Sequence, residues 1–235
     1  MAEASHLQNS MIYYAPWIIL IVIIVAQYLH YSFFGPKVKN KEGTEDIFWW
    51  SIKERIIHLI LMLTFLIIVI TGLILTVSPE KAQSGIMLLI RNMHAIGPIF
   101  AITAFLMLIL WIRFAIFKKY DFTWFRHLGG YLGYKGELKS GKFNAGQKLW
   151  FWIAIIFGAA LVISGVRIET LEIGPSRDSA VLGHLISASI MLAMLLVHMY
   201  MSIFVVKGTL SSIFTGKKNK ETAQKLHSEA PEFKK

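Results

Sequence analysis

The chain contains no cysteine. That absence excludes disulfides, thiolate-held iron–sulfur clusters and the C-x-x-C-H attachment of c-type haem. Any redox group must therefore be held by His, Met, Tyr or a carboxylate. Charge is also scarce: 16% of the 235 residues are charged and 55% are hydrophobic, with a mean hydropathy of +0.57. Soluble domains carry about a quarter charged residues, and a water-soluble core of this size does not bury such long apolar runs. Acidic residues are scarcest, 14 against 24 basic, giving a net charge of +10. Nucleic acid is not the expected partner, because the basic residues lie between apolar runs, as on cytoplasmic loops of membrane proteins.

Five stretches approach or exceed the roughly 20 apolar residues that cross a bilayer: Met11–Phe34, Ile56–Val77, Met93–Phe117, Leu149–Val166 and Val181–Val206. The predicted fold class is an all-α integral membrane bundle of five helices. Met1–Ser10 has no basic residue, and the run after it is too long for a signal h-region, so the first stretch reads as a retained helix. Tyr13, Tyr14, Trp17, Trp49, Trp50, Trp150 and Trp152 stand where an interfacial belt is expected.

Basic residues mark one side: Lys37, Lys39, Lys41, Lys53 and Arg55, then Lys118 to Lys148, then Lys207 to Lys220. The other side has Lys81, Arg91, Arg167 and Arg177, diluted by Glu80, Glu169, Glu172 and Asp178. The positive-inside rule predicts an outside N-terminus and a cytoplasmic C-terminus. Residues 217–235 are polar and read as a flexible cytoplasmic tail.

Ionisable residues inside spans are costly and mark function. The candidates are His30, His58, His94, His184 and His198; His6, His127 and His227 lie in polar segments. Depth along the spans sorts four of them into pairs from different helices, His58 with His198 near the cytoplasmic side and His94 with His184 near the outer side. His184 and His198 are 14 residues apart on one helix. That is about 21 Å of rise, and 14 steps of about 100° end within roughly 40° of the starting direction. Two bis-histidine haems at different depths need such a helix, and two imidazoles per iron suit electron transfer rather than substrate binding. Gly72, Gly97, Gly158 and Gly165 either line haem plates or serve close helix packing. A histidine proton relay and a haem-free structural anchor are the competing readings, whereas a zinc site lacks further ligands. His30, at the cytoplasmic end of the first span, reads as interfacial.

Several runs resemble a known family. They are Glu54-Arg55-Ile56-Ile57-His58 leading to Thr71-Gly72, then Arg91-Asn92-Met93-His94, Lys142-Phe143-Asn144-Ala145-Gly146-Gln147-Lys148, and His184 through His198 to Val206-Lys207-Gly208. Over about Lys53 to Lys218 the chain resembles the cytochrome b (gamma) subunit of membrane-bound formate dehydrogenases, and the related thiosulfate reductase and hydrogenase cytochromes. The resemblance implies a four-helix core holding two haem b, with His58, His198, His94 and His184 as axial ligands. It also implies a menaquinone or ubiquinone site at Asn144, Gly146 and Gln147 near His198. Its expected partners are an iron–sulfur electron-transfer subunit and a catalytic subunit in a respiratory complex of the bacterial or archaeal cytoplasmic membrane, linked to the quinone pool. The primary substrate site would belong to the partner.

On residue chemistry alone, Asn144 and Gln147 suit either a quinone carbonyl or a helix capping box. Arg55, Arg91, Arg167 and Lys207 stand near span ends, as interfacial anchors or partners for haem propionates. The expected organisation is an added first helix and loop over 1–52, the core over 53–216, and the tail over 217–235.

Overall fold

In a computed structural model, residues 11–37, 45–77 and 85–233 are described. His6, Lys39, Lys41, Glu80 and Lys81 lie outside them. Among the described residues, five helical segments are long and apolar enough to cross a membrane: Met11–Phe34, Ile52–Val77, Gly85–Ala115, Ala145–Thr170 and Pro175–Val205. The chain is an all-α membrane bundle. Large apolar side chains such as Leu63, Ile102, Phe105 and Ile163 are exposed along these segments, where the bilayer is the solvent.

The elements are α1 (Ala15–Phe34), β1 (Asp46–Phe48), α2 (Ile52–Val77), α3 (Gly85–His94), α4 (Gly97–Ala115), α5 (Lys119–Arg126), α6 (Ala145–Thr170), α7 (Pro175–Tyr200), α8 (Thr209–Thr215), β2 (Lys217–Asn219) and α9 (Lys220–Leu226). A π-helical turn, Met201–Val205, closes α7, with Val206 N–H donating to the Met201 carbonyl at 2.9 Å.

The third span differs from its expected course. It begins at Gly85 and is broken between α3 and α4. Pro98 explains the break: it has no N–H for the carbonyl of His94, four residues earlier, and its ring crowds that carbonyl. The α-helix consequently ends on His94.

Two compact units make up the chain. The first contains Met1–Ile24, Ile60–Leu106 and Ala154–Leu196. Its buried residues include Phe65, Phe100, Leu185, Met191 and Leu192. Phe65 and Phe100 pack with ring centres 5.3 Å apart, and Gly158 admits the Phe100 ring, which a Cβ there would meet at 3.2 Å. Trp17 Nε1 donates to Thr76 Oγ1 at 2.9 Å, tying α1 to α2.

The second unit contains Val25–Leu59, Met107–Ile153 and Val197–Lys235. Its core is aromatic: Trp49, Trp50, Trp111, Phe143 and Phe151 are buried. The expected flexible tail is corrected here, because residues 217–233 are folded. β2 pairs antiparallel with β1, Ile47 opposite Lys218. Asn219 caps α9 by accepting from Thr222 N–H at 3.0 Å. Ala223 and Ala230 are fully buried. His227, which the sequence places in a polar segment, is 2% exposed. Its Nδ1–H donates to the Gly141 carbonyl at 2.8 Å, leaving Nε2 to accept from Lys218 Nζ at 3.1 Å. A segment written in charged residues packs because Lys218 and His227 meet Trp49 and the Glu229 N–H donates to the Ser140 carbonyl.

Candidate functional site

In the first unit, α3 ends on His94 and α7 carries His184. Their ring centres lie 6.1 Å apart with planes at 67°. His94 Nδ1 is 3.0 Å from the Ile68 carbonyl and 3.0 Å from Thr71 Oγ1. A carbonyl only accepts, so Nδ1 carries the proton and Nε2 keeps its lone pair. The Thr71 hydroxyl proton is already directed to the Ile67 carbonyl at 2.6 Å, leaving its lone pairs to accept from His94.

His184 is seated in the same way. Ser164 Oγ donates to the Ala160 carbonyl at 2.6 Å and accepts from His184 Nδ1–H at 2.9 Å. Each hydroxyl residue is followed by glycine. A Cβ at Gly72 would lie 3.0 Å from His94 Cε1, and one at Gly165 would lie 3.6 Å from His184 Cε1. Thr71-Gly72 on α2 and Ser164-Gly165 on α6 therefore form two equivalent seats. Of the four glycines noted in the sequence, Gly72 and Gly165 touch the histidines, Gly158 serves packing, and a Cβ at Gly97 would meet nothing within 4 Å.

In the second unit, His58 on α2 faces His198 on α7, ring centres 6.4 Å apart and planes at 52°. Their surroundings are aromatic: Trp111 lies 5.9 Å from His58, and Trp150 stacks on His198 at 5.6 Å and 26°. Among the described residues, His58 Nδ1 is buried without a hydrogen-bond partner. Trp111 is held through Nε1, which donates to Glu54 Oε1 at 2.9 Å. The other Glu54 oxygen accepts from Ser51 N–H and from Ser51 Oγ, each at 2.8 Å. Ser51 Oγ in turn accepts from Glu54 N–H at 3.3 Å, a capping box that starts α2. The E-R-x-x-H run thus begins with a helix cap whose carboxylate also positions the tryptophan beside its histidine.

His30 is differently employed. Its Nε2–H donates to the Tyr131 carbonyl at 3.0 Å, so Nδ1 accepts the Tyr200 hydroxyl at 2.6 Å. With both nitrogens engaged, it has no lone pair left for a metal.

Both pairs fit a metal between two imidazoles. A metal–imidazole bond of about 2.0 Å, with the ring centre roughly 1 Å beyond the nitrogen, separates the centres by roughly 6 Å. Each pair has this spacing. Bound imidazoles donate their second N–H to a carbonyl or other acceptor, as His94 and His184 do. Among the described residues no three His, Asp or Glu side chains stand together as a bare-ion site, which favours a macrocycle that needs only axial ligands.

The 139–148 loop shows the capping box in full. Asn144 Oδ1 accepts from Gln147 N–H and Gln147 Oε1 from Asn144 N–H, both at 2.9 Å. The two NH2 groups are the remaining amide donors. Gly146 seats Trp124, whose Cη2 a Cβ would meet at 2.8 Å. Lys148 and Asp121, 2% and 1% exposed, form a buried ion pair at 2.7 Å between α6 and α5. Sequence reasoning missed Ser164, Trp111 and Asp121 and placed Trp150 only in an interfacial belt, because each acquires its role from a neighbour distant in the chain. Of the basic span-end residues, Arg91 pairs with Glu169 and Arg55 donates to the Phe214 carbonyl.

Membrane-crossing helices that face histidines in pairs define a class, the helical redox carriers of membranes. The chain belongs to the prokaryotic cytochrome b561 family, whose model matches residues 49–216. That match lies after α1 and before β2. Curated relatives agree. The chain is 26% identical over 192 residues to the formate dehydrogenase cytochrome b556(fdo) subunit of Escherichia coli K12, covering 78% of this chain and 90% of the relative. It is 28% identical over 194 residues to the cytochrome b556(Fdn) subunit of the nitrate-inducible formate dehydrogenase from the same organism, covering 74% and 85%. The protein is a membrane cytochrome b that transfers electrons, and haem b is its cofactor.

Proposed function

We propose that this chain holds two haem b groups, one between His94 and His184 and one between His58 and His198, and links a partner oxidoreductase to the quinone pool. The observation that carries this reading is the pair of facing rings in each unit, at 6.1 and 6.4 Å. Haem b, when bound, supplies a one-electron couple without an open iron position. His94 and His184 offer Nε2 while Thr71, Ile68 and Ser164 hold Nδ1–H. His58 and His198 are oriented by Trp111 and Trp150.

By the positive-inside rule, His94 and His184 lie toward the outer face and His58 and His198 toward the cytoplasm. With haem held at both pairs, electrons from an iron–sulfur partner would be received at His94 and His184 and passed on at His58 and His198. Quinone is bound near Asn144, Gly146, Gln147 and His198, where the Asn144 and Gln147 NH2 groups are donors suited to a quinone carbonyl. The relatives are formate dehydrogenase subunits, so a formate dehydrogenase-like complex in the prokaryotic cytoplasmic membrane is the proposed setting.

The test is a reduced-minus-oxidised spectrum of the purified chain with a haem determination. A b-type signal with about two haems per chain is expected. A chain that binds only one haem, or that shows no b-type signal at all, overturns the reading.

A further inference from the structure

We propose that Thr71 and Ser164 are positioning residues that set the redox potential of the haem held by His94 and His184; the inference rests on the haem reading above. Each hydroxyl directs its own proton to a carbonyl of its helix, Ile67 at 2.6 Å and Ala160 at 2.6 Å. Each is thereby left to accept a histidine Nδ1–H, at 3.0 and 2.9 Å. The result is a directed chain on both sides, histidine N–H to hydroxyl oxygen and hydroxyl O–H to backbone carbonyl, in which each hydrogen bond polarises the next. His94 adds a second acceptor, the Ile68 carbonyl at 3.0 Å.

An imidazole that donates Nδ1–H to a good acceptor becomes a stronger base at Nε2. A more basic axial ligand stabilises the oxidised metal and lowers the potential, and hydrogen bonding around the ligands is one of the protein's levers on a haem. The seats are specific to this pair. His58 Nδ1 is buried with no partner among the described residues, and the hydrogen bonds among them do not involve His198. Gly72 and Gly165 complete the seats by leaving space for each ring at the position after the hydroxyl. A residue that served only to pack the helix would leave the potential where it was.

The experiment is a redox titration of the full-length haem-loaded protein in lipid nanodiscs, read by absorbance and low-spin EPR. The variants are Thr71→Val, Ser164→Ala and the double substitution. The expected result is a preference for the oxidised form weakened by up to about tenfold, an upward shift of about 59 mV for a one-electron couple. The shift should fall on one haem and be larger in the double variant. Ser164→Thr, which keeps the hydroxyl, should restore the potential. Loss of one haem from Ser164→Ala with retention in Ser164→Thr also supports the assignment. Variants that load both haems and leave both potentials and EPR signals unchanged overturn it, as does an equal shift at both haems. Failure of the haem reading looks different, because the unsubstituted protein itself then shows no b-type signal.

Discussion

At the His94–His184 pair, each ring keeps Nδ1 bonded to a hydroxyl that is itself tied to a helix carbonyl. At the His58–His198 pair the neighbours are instead indoles, Trp111 and Trp150, and His58 Nδ1 has no partner among the described residues. The ring separations are nearly equal, 6.1 and 6.4 Å. The same spacing is thus reached by directional hydrogen bonds in one unit and by aromatic packing in the other. Hydrogen bonds settle which nitrogen carries the proton, whereas packing fixes only the ring's place. The second unit spends its polar groups one layer away, on the Glu54–Trp111 bond, the Asn144–Gln147 capping box and the Lys148–Asp121 pair.

The sharpest way to break this comparison is to remove one ligand from each pair. His184→Leu and His198→Leu are each expected to abolish one haem and retain the other, measured as haem per chain and as two distinct EPR signals. If either substitution empties both sites, the pairs are not independent. The next largest effect is expected from Lys148→Met. It leaves Asp121 charged and buried, a loss of about 3–5 kcal/mol. Thermal release of haem should then occur earlier at the His58–His198 site while the other keeps its melting point.

A smaller change is expected from Asn144→Ala. Losing a cap costs about 1 kcal/mol, and the same substitution removes a candidate quinone donor. Quinol-driven reduction of the His58–His198 haem should slow, with the absorbance and EPR spectra of both haems unaltered. An unchanged rate would show that Asn144 does not serve the quinone.

The smallest effect concerns pH. Burial, with Lys218 and Lys142 nearby, holds His227 well below 6.5, and burial lowers Lys218 to about 8. Both groups bind fewer protons when folded, so docking of residues 217–233 strengthens as pH rises. The His227 contribution is present above pH 6.5 and is lost as pH falls below it. The Lys218 contribution is complete above 10.5 and is lost as pH falls from there to about 8. Amide exchange of 217–233, corrected for intrinsic rates, should be faster at pH 6 than at pH 9, with Ser164 and Thr71 unaffected. Equal protection at both values would show that the segment does not respond to these groups.

The sequence by itself determined the membrane class and the five apolar stretches, and it put His58, His94, His184 and His198 forward as candidates. Span length and spacing are one-dimensional quantities, and an apolar run of about 20 residues has few alternatives in a bilayer. The Asn144–Gln147 capping box was legible for the same reason, since its partners are three residues apart. Tertiary structure alone decided what surrounds each ring. Ser164 lies 20 residues from His184 and Trp111 lies 53 from His58, and no periodicity connects them. It also decided that residues 217–233 fold. Lys218 and His227 look like solvated charges in sequence, yet a strand partner at 46–48 and the Gly141 carbonyl turn them inward. Inside a low-dielectric environment a polar group must find its partner wherever the fold supplies one, and that is information the linear chain does not carry.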